Sequence, residues 1–377
     1  MKVAIVHDWL TAIGGAEQVL AELLRLFPQA ELFTLIDTLP PEHRTWLEGH
    51  AIHTSFIQRM PFAQKHYRSY LPLMPLAVEQ FDLRGFDLII SSSHAVAKGV
   101  VVGPDQLHIS YVHSPMRYAW DMQHAYLEEA GLTKGLRSII ARILLHKLRL
   151  WDSRTTNGVD HLIANSRFIA RRIEKTYRRQ AEVIYPPVDT DFFTPGGDHR
   201  EDFYFTASRH VPYKRVDLIV EAFRDLPDRR LLVAGEGPEE KRLRRMAPPN
   251  VEFIGRCDRE RLRQLMRKTR AFLYAAEEDF GIVVVEAQAC GCPVIAYGRG
   301  GATETVIDHP APGATGVLYR EQTSHSLRHA ILHFERHQDA IRPEHCRSHA
   351  EQFSQARFRE RFLHSIQDKL QAWRAAL

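Results

Sequence analysis

The chain has 377 residues, 44% of them hydrophobic and 25% charged, and a formal net charge of +4. That length exceeds one ordinary core and suits two domains, and the composition excludes a chain dominated by disorder. A charge this small excludes a dedicated nucleic-acid binder, although a mildly basic balance suits phosphate-bearing ligands or an anionic membrane surface. The four cysteines, Cys257, Cys290, Cys292 and Cys346, show neither zinc-ribbon spacing nor an easy disulfide pair, which fits a reducing, cytoplasmic setting. The opening MKVAIVHDW is broken too early for a signal peptide, and no run of 18 apolar residues reads as a membrane span.

Short apolar runs alternate with helix-like stretches along the whole chain. Lys2–Val6 reads as a buried strand, followed by a turn at Gly14 and Gly15 and a helix over Ala16–Phe27. Further strands are expected at Leu32–Ile36, Phe86–Ser91, Ile109–His113 and His161–Ala164. Leu136–Trp151 is a basic helix with many apolar positions. It reads as a buried helix with a solvated basic face, and the sharper alternative is peripheral contact with an anionic membrane, with Trp151 as anchor. The prolines of Tyr185-Pro186-Pro187 and the run Thr194-Pro195-Gly196-Gly197-Asp198 mark a domain junction. After it the alternation repeats, with strands expected at Tyr204–Ala207, Leu231–Ala234, Val251–Ile254, Ala271–Ala275 and Pro293–Tyr297. Strands alternating with helices predict an α/β chain of two doubly wound parallel sheets. The expected domains are residues 1–185 and 186–377, with the last helix, about 356–377, packing back on the first domain. Such sheets bind ligands at the carboxyl ends of their strands, so chemistry is sought in the loops after strands.

One such loop, Glu277-Glu278-Asp279-Phe280-Gly281-Ile282, carries a carboxylate eight residues ahead of Glu286 on the next helix. Acidic residues near a helix start also serve as caps and dipole partners, so the pair alone decides little. A second strand-to-helix turn, Ala207-Ser208-Arg209-His210-Val211-Pro212-Tyr213-Lys214-Arg215, sets cations at a helix N-terminus. Cations there oppose the macrodipole, so a bound anion accounts for them better than a plain surface does.

The run from Glu278 to Glu286, continuing Ala287-Gln288-Ala289-Cys290-Gly291-Cys292-Pro293-Val294-Ile295-Ala296, resembles the E-x7-E signature of the retaining glycosyltransferases of family 4. It departs by Asp279 where the family commonly has glycine. The segment from Arg209 to Lys214 is similar to that family's G-R-x-x-x-x-K-G segment, with Arg215 where glycine is common. The resemblance runs over nearly the whole chain and is strongest over residues 204–307. It implies a GT-B fold, two Rossmann-like domains facing a cleft, the N-terminal one on the acceptor side and the C-terminal one holding the nucleotide sugar.

The resemblance also implies roles. Arg209 and Lys214 would hold the donor diphosphate, Glu278 would contact the donor sugar or its phosphate side, and Glu286 would accept from the ribose hydroxyls. Phe280, Gly281 and Ile282 would line the donor site, and Gly255 and Arg256, after the strand Val251–Ile254, would hold the base. In the first domain, Gly14 and Gly15 would face the donor phosphates or the acceptor, although a tight turn needing positive φ is an equal reading of them. His113, at a strand end, would bond a sugar hydroxyl, and Arg117, Tyr118 and Asp121 would line the acceptor side. A lone histidine is more often structural, and only the match in position turns that round. The runs Leu71–Pro75, Ser91–His94 and Tyr111–Asp121 look like those of bacterial O-antigen and exopolysaccharide mannosyltransferases. They imply GDP-mannose as donor and a saccharide acceptor linked to polyprenyl diphosphate, at the inner face of the cell membrane.

No metal or other cofactor is expected. Asp189-Thr190-Asp191 reads as a turn and cap element, and the 21 histidines show no H-E-x-x-H or Cys/His ligand spacing. No G-x-G-x-x-G follows the first strand, which disfavours a nicotinamide enzyme. The alternatives carried are a UDP-hexose-dependent transferase, a phosphorylase or epimerase of the same fold, and a non-catalytic nucleotide-sugar-binding scaffold.

Overall fold

The computed structural model describes residues 1–197 and 199–376. Asp198, the last residue of the Thr194–Asp198 junction run, and Leu377, the last of the expected second domain, lie outside the described residues. The rest divides into two compact units, Met1–Pro186 with residues 358–376, and Pro187–Arg357.

The first unit is built on seven parallel strands: β1 (Val3–His7), β2 (Glu31–Thr34), β3 (Ile52–Thr54), β4 (Leu88–Ser93), β5 (Leu107–Val112), β6 (His161–Ala164) and β7 (Glu182–Val183). Their order is β3-β2-β1-β4-β5-β6-β7. The direction of winding reverses between β1 and β4, the point at which doubly wound sheets leave a crevice. β1, β4 and β5 are buried along their whole length, as strands covered on both faces are. The helix Gly15–Leu26 turns Val19, Leu20, Leu23 and Leu24 inward, at helical spacing.

The second unit holds β8 (Phe203–Ala207), β9 (Arg230–Ala234), β10 (Val251–Gly255), β11 (Phe272–Tyr274), β12 (Val294–Tyr297) and β13 (Gly316–Tyr319). All pairings are parallel and the order is β10-β9-β8-β11-β12-β13, so its winding reverses between β8 and β11. Its core joins Tyr204, Phe223, Leu273, Ile295, Leu327 and Phe334.

The helix Gln355–Ala376 closes the chain, and from Phe358 onward it belongs to the first unit. Phe358, Phe362 and Ile366 fall four apart and enter that unit's core. Ion pairs flank them: Arg359 with Glu22 at 2.6 Å and Lys369 with Glu182 at 2.5 Å.

Helix Leu136–Thr155 departs from the buried reading. Only Ser138, Leu148 and Asp152 are buried, while Leu136, Ile139, Ile140, Ile143 and Leu150 stand exposed. Its C-terminal part is held by Asp152, which takes Lys98 Nζ at 2.5 Å, Trp120 Nε1 at 2.7 Å and Tyr177 Oη at 2.9 Å. Trp151 is no surface anchor. Its indole donates to Glu79 at 2.7 Å and packs where any Cβ on Gly99 would sit.

Candidate active site

In the second unit the polar side chains gather after β8 and β11, on either side of the reversal. Lys214 ends the short turn Pro212–Lys214, and its ammonium bonds Glu278, whose other oxygen accepts from Tyr274 Oη at the end of β11. The Glu278 loop is locked from beneath. Gly301 N–H donates to the Glu278 carbonyl at 2.7 Å, and a Cβ on Gly301 would lie 2.3 Å from the Phe280 Cα. Gly281, at φ +87°, caps the helix Ile282–Ala289 in a left-handed conformation that only glycine adopts freely. Phe280 is buried against Phe353, with ring centroids 5.4 Å apart, while Ile282 is half-buried.

Glu286 lies in the second turn of that helix and is buried. Burial pushes its carboxyl up to about 7, with Asp189 adding to the rise and Arg259 opposing it. Arg209 is exposed and, among the described residues, has no ion pair or side-chain hydrogen bond. Gly255 sits at φ +70° with open space where its Cβ would be, and Arg256 is exposed beside it.

Arg215 behaves differently from a residue turned to a ligand. Its φ is +51°, which explains why glycine is common there, and its guanidinium is tied to Asp217 at 3.2 Å and Gln322 at 3.4 Å. The Asp189-Thr190-Asp191 element is a turn: Asp189 accepts from Phe192 N–H at 3.1 Å and pairs with Arg259 at 2.6 Å.

The first unit shows a second cluster at its own reversal point. Ser92 at the end of β4 lies between two rings, 3.1 Å from His7 Nδ1 and 2.8 Å from His113 Nε2. Glu17 Oε1 is 3.6 Å from the far side of His7. Asp8, fully buried after β1, accepts four backbone N–H groups, from His94, Ala95, Val96 and Ala97, at 2.6–3.0 Å. His94 Nδ1 stands 2.9 Å from the same carboxylate. Burial alone would raise the Asp8 carboxyl, but His94 outweighs it and holds the group far below its ordinary range, while Asp8 raises His94 against its own burial. His113 goes the other way. Burial, then repulsion from His94 and His7, pushes it down to about 3, so its ring is neutral.

Gly14 and Gly15 open the neighbouring helix. Gly14 is extended at φ −138°, and neither glycine has positive φ, so the tight-turn reading of them fails. Gly14 N–H donates to Glu17 at 2.8 Å. Arg117 is half-buried with Nε 3.4 Å from Ser114 Oγ. The Tyr118 hydroxyl is buried without a hydrogen-bond partner among the described residues. Asp121 is exposed and paired with Arg172.

Sequence reasoning passed over Asp8, Glu17, Ser92 and Tyr274. Asp8 and Tyr274 each sit at the carboxyl end of a strand, which is the signal that could have found them. A cavity of about 480 Å³, lined by Arg200, Asp202, Arg270, Pro293 and Arg342, lies at the amino ends of β8, β11 and β12, the opposite end from Glu278.

Comparison with known proteins finds likenesses over both halves of the chain. Residues 13–192 match the model of Glycosyltransferase Family 4, and residues 188–353 match that of Glycosyl transferases group 1. The chain is 33% identical over 194 residues to a D-inositol 3-phosphate glycosyltransferase of Mycobacterium sp., covering 44% of this chain and 43% of that protein. It is 34% identical over 185 residues to a GDP-mannose-dependent monoacylated alpha-(1-6)-phosphatidylinositol monomannoside mannosyltransferase of Corynebacterium glutamicum, covering 41% and 48%. The match thus spans about half the length of these curated relatives. Among solved structures, Anabaena Alr3699/HepE in complex with UDP superposes with a TM-score of 0.73 at 19% identity over 98% of this chain and 100% of that one. Sucrose-phosphate synthase from Thermosynechococcus elongatus gives 0.74 at 18% over 99% and 100%. These likenesses establish the GT-B fold. A glycosyltransferase family model thus matches each half of the chain, and the GT-B fold runs across both.

Proposed function

We propose that the chain transfers a hexose from a nucleoside diphosphate sugar to a saccharide hydroxyl with retention of configuration, and that the donor is GDP-mannose. The observation that carries the transferase reading is the Lys214–Glu278–Tyr274 constellation at the reversal point of the second sheet, with exposed Arg209 on the same loop as Lys214. Cations placed there stabilise a departing diphosphate. The bond from the anomeric carbon to the acceptor oxygen forms on the face from which the diphosphate leaves, and the leaving phosphate oxygen takes the acceptor proton. Arg209 and Lys214 hold that leaving group without a metal, so turnover survives EDTA; loss restored by Mn²⁺ or Mg²⁺ would refute this. Glu286, in the second turn after Gly281 and sheltered from water, is suited to accept from paired ribose hydroxyls.

GDP-mannose is supported by the mannosyltransferase relatives, whose names specify that donor, and the base is assigned to the backbone around Gly255 and Arg256. Calorimetry tests it: GDP should bind at least about tenfold tighter than UDP, roughly 1.4 kcal/mol. Tighter UDP would make the donor a UDP-hexose. Product analysis with an acceptor present separates transfer from phosphorolysis or epimerisation, and donor binding without turnover would leave a scaffold.

The acceptor side is assigned to the first unit, with His113 positioned for a sugar hydroxyl. No helix among the described residues is long and apolar enough to cross a membrane. The exposed apolar residues of Leu136–Thr155, with Arg137 and Lys147 exposed beside them, support peripheral binding at an anionic surface and a lipid-linked acceptor.

A further inference from the structure

Four histidines, His325, His329, His333 and His337, recur at every fourth residue of the helix Ser324–His337, which places them on one stripe. The two halves of the stripe differ. His325 and His329 are a lone pair with Nε2 atoms 3.1 Å apart. His333 and His337 are half-buried and are met by a third ring, His309, from the segment that leads into β13. The centroids of the three rings lie 5.2, 4.9 and 4.4 Å apart, and His309 Nδ1 is 3.1 Å from His333 Nε2. Each ring offers a nitrogen, and these nitrogens all lie within 4.8 Å of one another.

We infer that His309, His333 and His337 form a binding site for one divalent transition-metal ion of the zinc type, with three imidazole ligands and a fourth position for water. A tetrahedral ion with bonds of about 2.0–2.1 Å holds its ligand nitrogens about 3.3–3.4 Å apart. The 3.1 Å pair already meets that spacing, and the third ring needs only a side-chain adjustment. An all-imidazole set selects zinc, copper or nickel and offers nothing to calcium or magnesium, which require oxygen. The nearby Asp308 carboxylate is occupied, accepting from Leu318 N–H at 2.7 Å.

An outer contact is also in place. His337 Nδ1 lies 2.9 Å from the His333 carbonyl, which can only accept, so Nδ1 carries the proton and Nε2 is left with its lone pair. Such contacts fix the tautomer and orientation of ligating histidines. His309 N–H donates to Gly316, the first residue of β13, at 3.0 Å, so the trio sits at the amino end of that strand. β13 is the edge of its sheet. Glu278 follows the carboxyl end of β11, at the other end of the sheet. The ion would therefore clip the segment entering an edge strand to the helix packed beside it, apart from the transfer chemistry.

The test uses the full chain and Zn²⁺ alone, titrated against a chromogenic chelator at pH 7.5. One equivalent should bind, and His309→Gln and His333→Gln should each weaken it at least about tenfold. The double variant His325→Gln, His329→Gln should bind as the parent does. Zn²⁺ should raise the melting temperature of the parent and leave that of His309→Gln unchanged. The rings are only half-buried, so all variants should fold, which circular dichroism checks. No saturable binding, unchanged affinity in His309→Gln, or loss in the His325/His329 variant would each overturn the site. No donor sugar enters this experiment, so its result is independent of the transferase reading.

Discussion

At the reversal point of the first sheet the polar side chains are buried and bonded to one another, whereas at that of the second the cations stand half or fully exposed. Asp8 spends both oxygens on four backbone N–H groups and His94, and Ser92 joins His7 to His113. Arg209 and Arg256 are exposed, and Lys214 reaches a carboxylate from a loop. The same strand order therefore supports two kinds of site. One is rigid before any ligand arrives, because its members satisfy each other in a low dielectric. The other has charge in surplus, which a diphosphate would complete.

The contrast is broken most severely at Asp8. Asp8→Asn replaces an acceptor-only group with one that must turn an N–H₂ toward backbone donors, and it strips His94 of its counter-charge. Removing one partner of a buried charged pair costs about 3–5 kcal/mol. The chain's five tryptophans, Trp9, Trp46, Trp120, Trp151 and Trp373, all lie in the first unit. Tryptophan fluorescence during urea unfolding therefore reads that unit alone, and its midpoint should drop sharply. A midpoint within about 0.5 kcal/mol of the parent's, the range of an ordinary surface change, would make the Asp8 cluster dispensable.

At the open cluster the cost should appear in chemistry and not in folding. Arg209→Ala and Lys214→Ala should each lower turnover by about 10²–10³-fold, the usual loss of a charge-stabilising donor. The tryptophan-detected midpoint should not move, since neither residue belongs to the first unit. Near-parental turnover in both variants would remove the leaving-group assignment.

The pH response divides the clusters again. His113, held near 3, stays neutral across the physiological range and adds no slope of its own there. Glu286 titrates near 7. Its folded value lies above its ordinary 4.5, so the stability it contributes is full below 4.5 and is lost as pH rises through about 7. Donor binding runs in the opposite direction, because the ionised carboxylate is the better acceptor. A group of pKa about 7 is roughly one-tenth ionised at pH 6 and nine-tenths at pH 8. Donor affinity should improve by up to about tenfold over that interval, and Glu286→Gln should abolish the slope. A pH-independent affinity in the parent would remove Glu286 from the ribose site.

Most buried strands of both sheets were legible as short apolar runs, because strands covered on both faces read as continuous hydrophobic sequence. The misses are at edges. β3, β7 and β13 are short, and β3 and β7 pair on one side only and are partly exposed, so Ile52–Thr54 and Glu182–Val183 carry no apolar run to find. Glu278, Glu286, Arg209 and Lys214 were legible through their family pattern, and the fold brings Lys214 to Glu278. Asp8 and Ser92 were not, since the Asp8 partners lie 86 or more residues away, Ser92 joins a ring 85 residues before it to one 21 after it, and nothing local marks a carboxylate that caps a distant loop. His309 joins His333 and His337 only through the fold, although the latter two are i,i+4 neighbours in the sequence. The helix Leu136–Thr155 shows the limit of composition: its apolar count suggested burial, and the fold leaves those residues outside.

That helix gives the smallest effect and the last way to sharpen the division between the units. If the first unit meets a lipid-linked acceptor, membrane affinity should reside there. Arg149 is committed to the Ala119 carbonyl at 2.7 Å and to Gln123, and Trp151 is packed inside, so neither can carry the contact. Arg137 and Lys147 are exposed among Leu136, Ile139, Ile140 and Ile143, and each basic residue near an anionic surface is worth about 1 kcal/mol. Reversing both charges should weaken binding to anionic vesicles by more than about tenfold at low salt, and rising salt should weaken the parent similarly. Ile139→Ser with Ile143→Ser should reduce what remains at high salt, because that residue of affinity is apolar burial and is not screened. Equal sedimentation of the parent with neutral and anionic vesicles would reduce the exposed face to a structural feature and leave the acceptor unconstrained by any surface.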